Sequence, residues 1–488
     1  MARLPHAAGA RLAFLWEGRV VEARAGDTVA AALYAAGHRM LTRSRKFHRP
    51  RGLSGVFVAD HLARVDGRPN VRLDDELVRE GHDVRAQNVW PDLDRDLLRL
   101  ARLIPRRWLR AGFEHTRLIP SGTPLFERWE AMLRFLAGVA ERPPADQRIP
   151  AMAGRRIAAD VVVVGGGPSG RRAAAEAAGQ GASVVLVSRG TPPGAFARAG
   201  GAALPDLPES VTVLAEHEAF GLYRDGRLVG AAPRDGGAAT AIDAGCVVLA
   251  VGRRSCPPLV PGADLPGVLD LHTALALAHD HGVAPGGAVA VIGTGDVEAV
   301  ARRFAALSVG VGAVLETGRT TRILGNHAVA GIEADGRVLA CDAVVHAGPW
   351  RTDPALGFQA ATGGALRLIA QAGRGNVTVV GSAAEAPEPV VWGGHLDDAA
   401  LVCPCMDVTV AEVRALAAAG EAHVEVIKRL TGCGMGACQG FPCWDQLGAA
   451  LAALTGRAVD DRPTFRPPRG ALTLAQAAGL AEVVGPEP

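Results

Sequence analysis

The hydrophobic pattern along this 488-residue chain changes period several times, and the changes mark its segments. Leu12, Phe14 and Trp16 alternate with other residues, Glu17-Gly18 turns the chain, and Val20 opens a second short strand. Gly26-Asp27-Thr28 then caps a helix predicted over Val29 to Ala36 and closed by Gly37. From Arg107-Trp108 to Leu136 the spacing is helical but broken at Pro120 and Pro124, with its clearest helix from Phe126; Pro143-Pro144 and Gly154 mark a boundary. Asp160 to Val164 reads as a buried parallel strand, Arg171 to Gly179 as a helix and Ser183 to Val187 as the next strand. Val289 to Ile292, a helix from Val300 to Leu307 and a strand from Gly312 to Leu315 repeat that order, with little of a usual domain predicted after it. Near the C-terminus, Thr409-Val410-Ala411-Glu412 has the form of a capping box. Gly420 stops that helix, His423 to Leu430 reads as another, and a third begins near Cys443. An apolar helix from Leu472 to Ala481 ends the pattern.

The fold class that follows is α/β. Strand, turn, strand and capped helix is how a ferredoxin-like β-grasp domain opens. Strand, glycine turn, helix and strand, twice over, is how a two-dinucleotide-binding domain of Rossmann type is built. The helices after residue 400 form a small helical domain.

Composition narrows the function classes. A net charge of +2 makes no electrostatic case for nucleic acid or an anionic membrane, and an aromatic content of 4% disfavours a stacking platform. No run reaches the ~18 apolar residues of a transmembrane segment, and Met1 to Ala10 has no apolar core before a cleavage site, so the chain reads as cytoplasmic.

Cysteine placement changes the picture most. The first 245 residues contain none, and five of the eight fall between Cys403 and Cys443. Clustering of this kind without a leader argues for metal ligation, and several soft thiolates meeting at one point suit zinc or an iron–sulfur cluster. The spacings, C-x-C and C-x(4)-C, fit a zinc knuckle less well. Cys438 and Cys443 stand at a helix N-terminus, where free N–H groups stabilise thiolate charge. Cys433, the fifth thiol, reads as a buried bystander. Cys246, Cys256 and Cys341 are isolated and read as packing, so a redox-disulfide mechanism is disfavoured. No catalytic dyad or other catalytic residue is legible.

The run Gly165-Gly166-Gly167-Pro168-Ser169-Gly170 is G-x-G-x-x-G in its required strand–turn–helix setting. Gly165 permits the tight turn, Gly167 lets backbone approach a pyrophosphate, and Gly170 lets helix and strand pack. The carboxylate that normally ends the next strand and binds ribose is replaced by Ser188-Arg189. That change points to a weakened or altered FAD site, with NADP(H) the alternative because an Arg there can meet a 2′-phosphate. In the second turn, Gly293-Thr294-Gly295-Asp296-Val297-Glu298, two carboxylates oppose a pyrophosphate, so this half reads as a structural remnant.

The segments CPC at 403–405 and KRLTGCGMGACQGFPC at 428–443 resemble the C-terminal [2Fe–2S] module of bacterioferritin-associated-ferredoxin type. That module occurs in FAD-dependent subunits of opine oxidase, hydrogen cyanide synthase and hydroxyproline dehydrogenase. The resemblance assigns ligation to Cys403, Cys405, Cys438 and Cys443. The loop Arg43 to Gly52 resembles the S-x-K-Y-H-R-P-R-G motif of sarcosine oxidase alpha subunits, which also open with a cysteine-free ferredoxin-like domain. Six basic groups in nine residues need an anionic partner. The resemblance implies that Lys46, His48, Arg49 and Arg51 lie near cofactor phosphates or a partner-subunit interface. Gly252-Arg253 resembles the A-T-G-x turn that contacts FAD, and Gly381-Ser382 resembles a Gly-Asp that binds the flavin, here without its carboxylate.

These likenesses run in order along nearly the whole chain. They imply a cysteine-free ferredoxin-like domain (1–105), a connecting helical segment (106–155), an FAD/NAD(P)-binding domain (156–395), a [2Fe–2S] domain (396–470) and a tail (471–488). The folate-binding half of the long sarcosine oxidase chain is not expected. The implied function is that of an electron-transfer alpha subunit. An amino-acid-oxidase-like beta subunit carrying its own flavin, with further small subunits possible in the complex, would oxidise a C–N bond to an imine. Two alternatives stand: a self-contained NAD(P)H-dependent flavin reductase, and a structural subunit with degenerate nucleotide sites.

Overall fold

Thr28 starts the first helix because its hydroxyl accepts from the Ala31 amide at 3.2 Å, and the helix spans Val29–Ala35 before Gly37 turns left-handed. Every one of its residues is buried, so it packs as the filling of a sheet rather than as a surface helix. The sheet has five strands in the order Arg19–Arg24, Arg11–Trp16, Asp83–Ala86, Leu62–Val65 and Arg68–Arg72. The first hairpin is antiparallel, and Arg11–Trp16 runs parallel to Asp83–Ala86. This is the ferredoxin-like β-grasp that the N-terminal pattern predicts.

The computed structural model describes residues 3–54, 61–103, 123–136, 152–224, 226–360, 376–436, 438–459, 465, 467–470 and 472–485. The expected breaks at Pro120 and at Pro143-Pro144, and the stretch around Arg107-Trp108, lie outside them. The helix expected from Phe126 begins at Pro124 and runs Pro124–Leu136, because a proline at the first helical position loses no hydrogen bond.

The chain divides into two units. One comprises Met1–Arg142, Ser255–Pro349 and Pro389–Pro463; the other comprises Pro143–Arg254, Trp350–Glu388 and Thr464–Pro488.

The second unit is built on one sheet. Four strands, Val211–Ala215, Val184–Ser188, Arg155–Val164 and Thr240–Leu249, run parallel, and Val377–Val379 adds alongside Thr240–Leu249. Leu228–Pro233 and His217–Tyr223 extend the sheet antiparallel. Valines and leucines on the parallel strands are buried on both faces, as the continuous apolar run at Asp160 to Val164 requires. The C-terminal helix, Leu474–Val484, starts at a second capping box, Thr473 with Gln476, and rests on this unit through Leu480 beside Phe220.

In the first unit a smaller parallel sheet has the order Val268–Asp270, Ala343–Ala347, Val289–Gly293 and Val311–Glu316. Here the structure corrects the expectation that little follows Leu315. Thr320–Gly325, Val329–Ala334 and Arg337–Ala340 form a three-stranded antiparallel sheet, and Ala343–Ala347 returns to the middle of the parallel one. The signal was the turn Asp335-Gly336, with both residues at positive φ, between two runs too short to stand out by period alone.

His346 sits in this sheet, 2% exposed, with no hydrogen-bond partner for Nδ1. Burial pulls its pKa from 6.5 down to about 4, against the opposing charge of Asp270. The unfolded chain therefore takes up a proton between these values that the folded chain refuses. Stability present above pH 6.5 is lost as pH falls towards 4, by about 3 kcal/mol in all. We expect His346→Leu to flatten the pH dependence of the denaturant midpoint between pH 7 and 4.5, relative to the parent chain.

Candidate functional site

Three local devices bring distant cysteines together. The strand Leu401–Cys403 carries Cys403 into the core, and the single turn Pro404–Met406 carries Cys405. Asp407 ends that turn in the left-handed region, and the Thr409/Glu412 capping box then starts the helix Val410–Ala418. His423 caps a second helix, Val424–Thr431, closed by Gly432. The loop beyond it delivers Cys438, and Cys443 is the first residue of the helix Cys443–Thr455. The helices themselves pack through Val410, Val413, Val424, Ile427, Leu447 and Leu451.

The four sulfurs of Cys403, Cys405, Cys438 and Cys443 lie within 4.8 Å of one another, and all four residues are buried. Cys403 and Cys405 Sγ are 3.6 Å apart. Burial works against ionising Cys403, yet the thiols of Cys405, Cys433, Cys438 and Cys443 hold it well below the ordinary value. Cys403 in turn drives Cys405 well above it, and burial does the same to Cys443. The set is all sulfur, with no imidazole or carboxylate, which suits a thiolate-bound iron–sulfur group. Cys433 is buried beside Cys403 but outside the four.

The loop around the tetrad is shaped for close approach. The Gly434 amide donates to Cys403 Sγ at 3.3 Å, and a Cβ at Gly434 would run into the Trp444 indole. Trp444 Nε1 donates to the Cys433 carbonyl at 3.1 Å, and Lys428 Nζ stands 5.2 Å over the indole ring. An amide aimed at a ligand sulfur stabilises the more negative state of whatever the sulfur binds.

The basic loop meets this centre. Ser44 Oγ donates to Asp407 Oδ2 at 2.6 Å, the Phe47 amide to the same oxygen at 3.1 Å, and Arg51 Nη2 to Asp407 Oδ1 at 2.9 Å. Arg49 Nε lies 3.6 Å from Asp407, and Lys46 rests against the Gly432 turn. His48 pairs with Asp96 at 2.9 Å, and Arg43 is 3.6 Å from the same carboxylate. Asp407, Asp96 and Asp264 are the residues that sequence reasoning missed. The position of Asp407, two residues after Cys405, was the available signal.

In the other unit, three sequence-predicted segments converge. Gly165 has a φ of +112°, and a Cβ on Gly170 would strike the Gly165 carbonyl, so that helix and strand meet only without side chains there. The helix Pro168–Gly179 has Gly167 as its N-cap and no side-chain cap, leaving its first amides for an anion. Gly381 lies against Ser169, and Ser382 Oγ faces Gly252. The cradle therefore fits a dinucleotide pyrophosphate. Ser188, buried against Gly166, provides a hydroxyl in place of the ribose-binding carboxylate. Arg189 is 3.7 Å from Glu218, and Arg253 is 3.0 Å from Glu385. The second turn differs: Asp296 accepts from the Ala299 amide at 2.9 Å, so its helix Val297–Ala306 is capped by its own carboxylate.

Comparison with known proteins fits this geometry. Residues 9–89 match a family described as a 2Fe-2S iron-sulfur cluster binding domain, residues 159–346 pyridine nucleotide-disulphide oxidoreductase, and residues 398–480 the sarcosine oxidase A3 domain. The first match carries the fold only, since residues 9–89 contain no cysteine. The alpha chain of sarcosine oxidase from Rhizobium meliloti is 33% identical over 348 residues, 63% of this chain and 34% of that protein. An opine oxidase chain of the same organism is 37% identical over 87 residues, 17% of this chain and 19% of that one. The alignments thus span about a third or less of these relatives. The crystal structure of L-proline dehydrogenase from P. horikoshii shares the fold, with a TM-score of 0.74 at 21% identity over 97% of this chain and 99% of that one. Among the described residues no helix is long and apolar enough to cross a membrane. The tetrad and these matches support a [2Fe–2S] cluster and FAD as cofactors of an oxidoreductase. The chain belongs to the family of the sarcosine oxidase and opine oxidase alpha subunits.

Proposed function

We propose that this chain is the electron-transfer subunit of a heteromeric amine or amino-acid dehydrogenase or oxidase, of sarcosine, opine, proline or glycine type. The observation that carries the reading is the buried tetrad Cys403, Cys405, Cys438 and Cys443 in a chain that also has an open dinucleotide cradle. Zinc has no redox chemistry, whereas a [2Fe–2S] cluster supplies one-electron transfer and FAD couples it to two-electron chemistry.

This chain's residues then have defined tasks. The four thiolates hold the cluster away from water, and the Gly434 amide holds Cys403 in place. Gly165, Gly167, Pro168, Ser169 and Gly170 seat the pyrophosphate, with Ser188, Gly252, Gly381 and Ser382 around the nucleotide. Substrate chemistry belongs to a separate flavin-containing subunit that takes hydride from an amine C–H and leaves an imine to hydrolyse. The likeness to the sarcosine oxidase alpha chain supports that partner. Asp296 at the second helix N-terminus and Glu218 beside Arg189 both weigh against a self-contained NADPH reductase.

Two single changes separate the cofactors. We expect Cys438→Ser to abolish the cluster's visible absorbance while leaving flavin bound. Gly167→Glu places a carboxylate at the helix N-terminus and should release flavin with the cluster retained. Unchanged spectra in both variants contradict the assignment. For the function, the chain is co-purified with a flavin-containing partner of amino-acid-oxidase type and mixed anaerobically with sarcosine, proline or an opine. Bleaching of the cluster by one of these amines is the expected result. Rapid NADPH oxidation by the chain alone, with no response to any amine, identifies a reductase instead.

A further inference from the structure

We infer that the basic loop of the ferredoxin-like domain is a redox-setting clamp on the cluster turn, with Arg51 and Asp407 as its opposed charges. The inference rests on the reading of the cysteine tetrad as a [2Fe–2S] site.

Arg51 reaches the turn at its centre. Its Nη2 donates to the carbonyl of Pro404, the residue between Cys403 and Cys405, at 2.8 Å, and to Asp407 Oδ1 at 2.9 Å. Its Nη1 pairs with Asp264. The Arg51 side chain is 5% exposed and that of Asp407 is fully buried, so neither charge is screened by water. Arg49 approaches the same carboxylate, giving two guanidinium groups against two carboxylates around one turn.

Packing alone does not require this arrangement. An apolar loop could cover the turn, and a buried ion pair is weak evidence for stability. A charged pair is useful where the group beside it changes charge. Taking up one electron from an amine-reduced flavin, or from dithionite, makes a [2Fe–2S] cluster one unit more negative, with no bond made or broken. A cation against the C-P-C turn favours the reduced state, and a carboxylate beside it opposes that state. Arg51 and Asp407 are positioning residues in this sense: neither ligates, and each acts on the cluster through the turn. Ser44 and the Phe47 amide hold the carboxylate where it is. Arg43, His48, Arg49 and Arg51 thus find anionic partners within the chain, and the partner of Arg49 and Arg51 stands beside the site.

The test is a spectroscopic redox titration of the cluster in the full-length chain, purified without oxygen, with iron counted on each sample. Arg51→Met removes the cation nearest the turn and leaves the buried carboxylate facing it. It should lower the ratio of reduced to oxidised cluster at a fixed potential about tenfold, which is 59 mV for a one-electron couple. Asp407→Asn keeps acceptor capacity for Ser44 and Phe47 but removes the anion, and should move the ratio the opposite way. Arg51→Lys should retain most of the parent value. Shifts of the same sign in Arg51→Met and Asp407→Asn, or no shift in loaded variants, overturn the inference. If Arg51→Met fails to load iron, the sign of the Asp407→Asn shift decides alone. Absence of a titrating cluster in the parent chain instead removes the reading on which the inference rests.

Discussion

Four thiols in one apolar core cannot all carry charge unless something in that core absorbs it. Much of what surrounds Cys403, Cys405, Cys438 and Cys443 is explained by this constraint. Cys403, as a lone thiolate, draws hydrogen bonds from its neighbours and leaves Cys405 and Cys443 protonated. A bound cluster would bring cationic iron to all four. The Gly434 amide, the helix N-terminus at Cys443 and the Arg51–Asp407 pair are further sources of compensation, each delivered by a different segment. The helices carrying these segments are short. They stay in place because Val413, Ile427, Leu447 and Leu451 bury a common face.

The same electrostatics separates the two glycine turns. Both follow a buried parallel strand and both open a helix, so the folds correspond. One helix begins at Gly167 with its first amides uncapped, and the other begins at Asp296 with a carboxylate already on them. A pyrophosphate is welcome at the first and repelled at the second. The structure around Gly293 nonetheless keeps a complete parallel sheet. Its strands are held by Val289 to Ile292 packing beside Ala343, Val344 and Val345, all buried, and not by the chemistry of the turn.

Local signals were legible in the sequence wherever the responsible residues lie within a few positions of one another. The Thr409–Glu412 capping box, the Thr28 cap and the G-x-G-x-x-G turn each predict an element that the structure contains. The three strands from Thr320 to Ala340 were not legible, because short half-exposed runs carry little period. Nor were the partners of the basic loop. Arg51 and Asp407 are separated by 356 positions, and no spacing rule connects them. The need for an anionic partner was readable from the charge of the loop; its identity depended on tertiary contact alone.

The central claim is that the tetrad holds a redox-active cluster, and metal and sulfide stoichiometry of the anaerobically purified chain tests it most directly. The account predicts two irons and two acid-labile sulfides per chain, with an electron paramagnetic resonance signal appearing on reduction. Stoichiometric zinc without sulfide, and no signal on reduction, would contradict it.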